Sequence, residues 1–373
     1  MSQTPSDTRK ALHELMDLLR EVDERFLGSE WGIEDPASLA EASRAVMHIL
    51  QAGSVLHFEE SADHPVFRRI VTPYRKLTGD NPDAIYYEAP IRGGLVYRIR
   101  GDMAGAVYVS ITVEAGAENA GFAARTAGVI NDTQFDVDAD GRFEISLGGP
   151  EQARNWLPLP EDSSYLTTRH YFEEAASVAA DTTRSVPLQI EALDAPSAAP
   201  PPPDDTGVAA GIRRVSNFVR SRTLDMPRMG QDILPDFVST TPNAFPAPVK
   251  PGDFALSAFD AAYSMAPYVF GPDDALVVTG RWPECRCANV CLWTRHQMTY
   301  DYANRSAGLN RAQTQLEEDG SFRMVLAHRD PGVANWIDTE GRPFGMVFWR
   351  YMLPEGPIET PRAEVVPFTS LAG

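Results

Sequence analysis

Basic residues are in short supply in this chain. Lysine and arginine total 33 against 52 aspartates and glutamates, a formal net charge of −19 with a pI near 4.8. A surface that acidic repels phosphate backbones, which argues against nucleic-acid binding, and it repels anionic lipid surfaces as well. Cysteine is nearly absent: three residues, Cys285, Cys287 and Cys291, an odd number too crowded for a disulfide framework. The expectation is a reducing, cytoplasmic compartment. With His296 they read C-x-C-x3-C then His, which is no standard zinc knuckle, so no metal is expected. Long apolar runs are missing too, so no transmembrane helix is expected. The first residues, MSQTPSDTRKALHELMDLL, are charged early and show no signal-peptide pattern. There is no G-x-S-x-G elbow, Walker loop, dinucleotide fingerprint or H-E-x-x-H helix. Rossmann hydride transfer, kinase chemistry and zincin proteolysis are therefore poor fits, and no cofactor is expected.

What is abundant is proline, 30 residues in 373, which favours a loop-rich, β-containing protein of two or three domains. Residues 8–27 read as an amphipathic helix with Gly28 as its stop. Asp35-Pro36 supplies a cap and first turn for a second helix, to about Gln51. Val107, Val109, Ile111 and Val113 alternate with polar residues, as in a half-buried strand; Phe143, Ile145 and Leu147 repeat the pattern. Residues 195–205 form a proline-rich, extended connector, followed by a helix capped near Asp205 or Thr206. Asp136, Asp138, Asp140 and Gly141 open like a calcium loop, but Leu147 stands where the bidentate glutamate belongs. A hairpin turn explains them better.

The chain also repeats itself. Asp83, Tyr86 and Pro90 match Asp260, Tyr263 and Pro267. Asp140-Gly141 with Phe143, Ile145 and Leu147 matches Asp319-Gly320 with Phe322, Met324 and Leu326. Asn155-Trp156 matches Asn335-Trp336, and Arg169 matches Arg350, the offset drifting only from 177 to 181. Several ordered matches point to a domain duplication. The expected fold is mainly β with flanking helices (α+β), built from tandem duplicated β-sandwich or jelly-roll-like domains. The expected boundaries are 1–60 for a helical segment, 61–194 for the first repeat, 195–228 for linker and helix, and 229–373 for the second repeat.

Asn81-Pro82-Asp83 with Tyr86, the DGSF turn at Asp319 and HRDPGVANWIDTEG with its following Trp-Arg resemble the bacterial family called domain of unknown function 1214, often paired with the family numbered 1254. The resemblance implies tandem jelly-roll-related domains and assigns no reaction. The first copy lacks the His-Arg-Asp-Pro-Gly lead-in.

Arg350 shares strand parity with Phe344, Met346, Phe348 and Met352, an otherwise apolar face; Arg169 lies on the parity of Tyr165, Thr167 and Tyr171, a wetter one. Each arginine is either an internal tie, to Asp83, Asp260 or Asp338 for example, or a clamp for an anion or carbonyl. Trp156 and Trp336 either plug the sandwich ends or stack on a ligand. The candidate acid–base set is Arg350, His328, Tyr351, Arg169 and His170, and the candidate binding set is Asn335, Trp336, Asn155, Trp156, Asn81, Asp83 and Tyr86. Together they suggest a small, largely apolar molecule held in a cleft within or between the domains. In its enzymatic form this reading takes a carbonyl compound as the substrate of a lyase, isomerase or hydrolase that needs no cofactor. The other class is a non-catalytic glycan-binding or assembly module, with a homo-oligomer as a further option.

Overall fold

The computed structural model describes residues 6–195, 200, 202–226, 234–252 and 258–371. Residues 196–199 and 201 of the proline-rich connector lie outside them. Helix α1 (Asp7–Glu24) is capped by Ser6, whose side chain accepts from the Arg9 amide. In α2 (Pro36–His57), Asp35 accepts from the amides of Ala37 and Ser38 and proline takes the first turn, as the sequence anticipates. That helix runs past Gln51 because Ala52, Leu56 and His57 continue its buried stripe. Helix α3 (Asp205–Ser221) is capped by Asp204. Arg213 pairs with Glu14 and Arg220 with Glu21, tying α3 to α1.

The first half contributes β1 (Arg68–Arg69), β2 (Ala84–Pro90), β3 (Tyr97–Asp102), β4 (Tyr108–Ala115), β5 (Arg125–Asn131), β6 (Arg142–Leu147), β7 (Trp156–Leu157), β8 (Ser163–Tyr171) and β9 (Leu188–Ala192). The second contributes β10 (Ala261–Val269), β11 (Asp274–Gly280), β12 (Cys287–Trp293), β13 (Gly308–Asn310), β14 (Phe322–Ala327), β15 (Trp336–Asp338), β16 (Phe344–Met352) and β17 (Arg362–Pro367). One sheet of the first half has the order β1-β2-β8-β4-β5, and its counterpart is β10-β16-β12-β13. The other sheet is β7-β6-β3-β9, matched by β15-β14-β11-β17. Each half closes its outer sheet with one parallel pair, β6 with β7 and β14 with β15. The duplication is thus a duplication of topology, with β1 the one strand that lacks a counterpart among the described residues.

Local chemistry explains the parallel pairs. Asn155 and Asn335 both adopt left-handed backbone angles, with φ of 54° and 56°. Each spends its amide on backbone: Asn155 accepts from the Asp136 amide and donates to Glu144 O, while Asn335 accepts from the Gln315 amide and donates to Arg323 O. The tryptophans that follow donate their indole N–H to Gly148 O and Ala327 O. The Asn-Trp repeat is therefore a strand-entry turn, and these four residues do not form a ligand platform.

Inside each half the two sheets enclose an apolar core, with Ile85, Val109, Ile111 and Leu166 among the first and Leu276, Val290, Val347 and Trp349 among the second. The opposite faces of β2-β8-β4 and β10-β16-β12 are buried as well, against each other and against the helices, through Tyr86, Tyr108, Tyr171, Tyr263, Cys291, Trp293 and Phe348. Strand β4, read as half-buried from its alternation, is consequently buried along its whole length. The half-polar pattern arises because its second face meets a neighbouring domain and not water.

The docking of the halves is reciprocal. Asp83 accepts from Asn289 Nδ2 at 2.7 Å and Asn310 Nδ2 at 3.0 Å, both from the second half. Asp260 accepts from Asn131 Nδ2 at 2.7 Å and from the Tyr108 hydroxyl, both from the first. Asn131 and Asn310 end equivalent strands, so the same carboxylate–amide clasp is made twice, once in each direction.

Candidate functional site

Between the two inward-facing sheets, roofed by the end of α3, lies a cavity of about 1020 Å³. The strands place two matching rows on its walls. Tyr86 on β2 is in register with Arg169 on β8, itself opposite Ser110 on β4. Tyr263 on β10 is in register with Arg350 on β16, itself opposite Asn289 on β12. Both arginines and both tyrosines line the cavity and all four are buried. Arg169 therefore lies on a dry face, contrary to its sequence reading, because the parity of Thr167 and Tyr171 points at the other domain.

The arginines differ in their partners. Arg169 Nη1 donates to Thr112 Oγ1 at 2.6 Å, and Nη2 lies 3.8 Å from the Glu114 carboxylate, which is fully buried. Arg350 is only 5% exposed, yet its Nε and Nη1 have no hydrogen-bond partner among the described residues; Nη2 reaches Gly79 O at 3.4 Å. The tie to Asp83, Asp260 or Asp338 is not formed. Asp83 and Asp260 are spent on the interdomain clasps, and Asp338 pairs with Arg305 at 2.7 Å. Arg350 is instead wrapped by rings, with Phe348, Tyr263 and Tyr171 centred 4.7, 5.7 and 5.9 Å from its guanidinium carbon. Cation–π contacts contribute about 0.5–2 kcal/mol each. Burying an ion costs several kcal/mol even after relaxation, so the rings offset the burial only in part.

Around this charge the wall is aromatic. Trp293 stacks on Phe348 with centroids 4.3 Å apart and donates its indole N–H to Asp80 O at 2.9 Å. Tyr86 and Tyr263 are pushed above the usual phenol range, first of all by burial. They are therefore neutral hydroxyls at any physiological pH. Asp80, also on the cavity wall, accepts from the Thr299 amide and hydroxyl at 2.7 and 2.6 Å, and burial raises its pKa.

The remaining candidates from the sequence lie elsewhere. His170 and Tyr351 adjoin the arginines in sequence, and strand alternation turns both toward the sandwich interiors. There His170 is pushed down to about 4 by burial, and Tyr351 packs with Trp349. His328 follows β14 in the outer sheet, with Nδ1 2.6 Å from Thr339 Oγ1 and its ring stacked on Phe270. No histidine of that set can join Arg350 in one reaction centre. Asn81 and Asp83 belong to the clasp, with Asn81 bonded to Asn289 at 2.6 Å.

Sequence reasoning missed Glu88, two residues beyond Tyr86 on the same face of β2 and on the cavity wall. Behind it stands His57, at the end of α2, with Nε2 3.5 Å from Glu88 Oε1 and Nδ1 2.7 Å from Glu60 Oε2. The available signal was an acidic residue inside the buried run AIYYEAP.

A profile for a protein of unknown function, DUF1214, matches residues 87–174 and 290–355, one stretch in each half of the duplication. The first ends just after Arg169 and the second just after Arg350, so each DUF1214 segment contains its own cavity arginine. Among solved structures, an uncharacterised protein from Burkholderia cenocepacia is similar over 96% of this chain and 97% of its own, with 26% identity and a TM-score of 0.82. The VPA0106 protein from Vibrio parahaemolyticus matches over 87% of this chain and 99% of its own, at 11% identity and a TM-score of 0.47. No curated protein matches.

Proposed function

We propose that the protein binds a small, largely apolar molecule carrying a carboxylate or comparable anionic oxygen, in the cavity between its two sandwiches. The observation that carries this reading is Arg350, a buried guanidinium on an aromatic wall with two nitrogens unpartnered among the described residues. Arginine stays charged at any attainable pH, so it cannot escape the cost of burial by neutralising. Ligand oxygens accepting separately from Nε and from Nη1 would satisfy the two donors, and Trp293, Phe348 and Tyr263 would cover the apolar body. The volume suits a molecule of drug-like size.

Calorimetric titration of decanoate, phenylacetate and phenylpyruvate into wild type and Arg350→Met tests the reading. At least one should bind the wild type and lose roughly 10–100-fold in affinity in the variant, the worth of a charge-assisted hydrogen bond in a dry site. Equal affinity in both proteins, or no binding of any of the three, would remove Arg350 as an anion receptor.

A further inference from the structure

Glu88 gives the cavity a second chemical feature, separate from the arginine. Its carboxylate sits on the wall beside Thr167, whose hydroxyl has no partner among the described residues. His57 lies behind it, fixed on both sides: Nδ1 by Glu60 at 2.7 Å, and the ring face by Phe218 with centroids 5.0 Å apart. Glu60 is in turn held by Arg214 at 3.2 Å, and Arg214 also binds the carbonyls of His57 and Phe58 that end α2. The order carboxylate, imidazole, carboxylate thus runs from the cavity wall through a buried ring to Glu60, whose side chain is 22% exposed. A cavity-facing base, a histidine beside it and a third group fixing that histidine form the general arrangement of an activated proton acceptor. A purely structural ion pair would have no need of an end that opens on the cavity.

We propose that Glu88 is a catalytic base for carbon acids bound in this cavity, with His57 and Glu60 as positioning residues that connect it to solvent. The inference rests on the cavity binding an anionic molecule as proposed above. The step is a tautomerisation. A proton leaves the carbon next to a carbonyl for the Glu88 carboxylate, and the C–H electron pair becomes the C=C of an enolate with its charge on oxygen. Returning the proton to carbon restores the ketone, and delivering it to oxygen gives the enol. No oxidant, reductant or co-reactant is consumed. Burial shifts Glu88 upward, which makes it a stronger base when ionised, while His57 and Arg222 favour its charged form and Glu60 and Glu114 oppose it.

Phenylpyruvate serves as the probe because it joins a carboxylate, a ring and an enolisable carbonyl. Its binding is followed by calorimetry, and exchange of its C3 protons in deuterated buffer by proton NMR. The expected result is binding with exchange well above buffer alone. In Glu88→Gln, exchange should fall at least 100-fold with affinity within about threefold of wild type, and Glu88→Asp should fall between the two. His57→Gln should retain binding and move the pH midpoint of exchange upward, because His57 favours the carboxylate form of Glu88. A fold defect alone would not move that midpoint. Binding without exchange, or exchange unchanged in Glu88→Gln, overturns the base and leaves the anion receptor standing. Failure of phenylpyruvate, decanoate and phenylacetate to bind the wild type overturns the receptor, and the base with it.

Discussion

The two walls of the cavity are copies of one sheet, and their chemistry has diverged around a shared Tyr–Arg row. Beside Arg169 the first copy places Glu88, Thr167 and Thr112 in one register row, with Glu114 beyond it. Beside Arg350 the second copy places Met265, Phe348 and Cys291 in the matching row, with Trp293 where Glu114 would be. These four polar residues of the first wall are replaced by apolar side chains on the second, yet the arginine is present in both. In the first copy the guanidinium completes an internal pair; in the second it meets rings and one backbone carbonyl, with no carboxylate partner among the described residues. The same position in the same fold therefore serves structure on one side, and on the other a role that structure alone does not explain.

The sharpest way to break this comparison is to remove each arginine in turn. Arg169→Met leaves Glu114 buried without its cation and should cost about 3–5 kcal/mol in urea unfolding. Arg350→Met removes an ion that has no carboxylate partner and should be neutral or stabilising, by up to about 4 kcal/mol, while anion binding is lost. Equal destabilisation by both would mean the two sites are alike after all. Cys291→Asp sharpens the contrast from the other direction. It sets a carboxylate on the Arg350 wall, at the register position that Thr112 holds beside Arg169, and should weaken carboxylate binding at least roughly tenfold by occupying the guanidinium.

Much of the fold was legible because duplication repeats local chemistry. The Asn-Trp pairs could be matched because a left-handed turn selects asparagine, and the strand parity of Arg350 followed from its apolar neighbours. What alternation has no term for is the identity of the surface a face meets. Arg350 was placed on an apolar face, but the facing Tyr171 lies about half a chain earlier, and with Tyr263 and Phe348 it surrounds the guanidinium where a nearby aspartate was expected. The neighbourhood of Glu88 was hidden for a related reason. His57 falls in a helical turn beyond the expected end of α2, and its approach to β2 depends on how that helix docks. Where the copies do the same job, substitutions should cost the same. Asn155→Ala and Asn335→Ala should each lose about 1–3 kcal/mol, since each frees a backbone carbonyl and strains a left-handed turn.

The smallest effect is the pH dependence of the clasp at Asp83. Asp83, held by Asn289 and Asn310, is raised to about 6, with burial the main cause. Its unfolded carboxyl titrates near ~4. Between those values the folded chain keeps a proton that the unfolded chain gives up, so this group's contribution is complete below about 4 and declines as pH rises through 6. Asp83→Asn cannot titrate, and its amide sets N–H groups against a donor of Asn289 or Asn310, so the variant is less stable than wild type throughout. The deficit should nevertheless be larger at pH 4 than at pH 7, by on the order of 1–2 kcal/mol, when urea midpoints are compared at both. A deficit that grows toward neutral pH would mean that the ionised carboxylate is the form the clasp prefers. The amide donors of Asn289 and Asn310 would then outweigh burial in setting the charge at the domain interface.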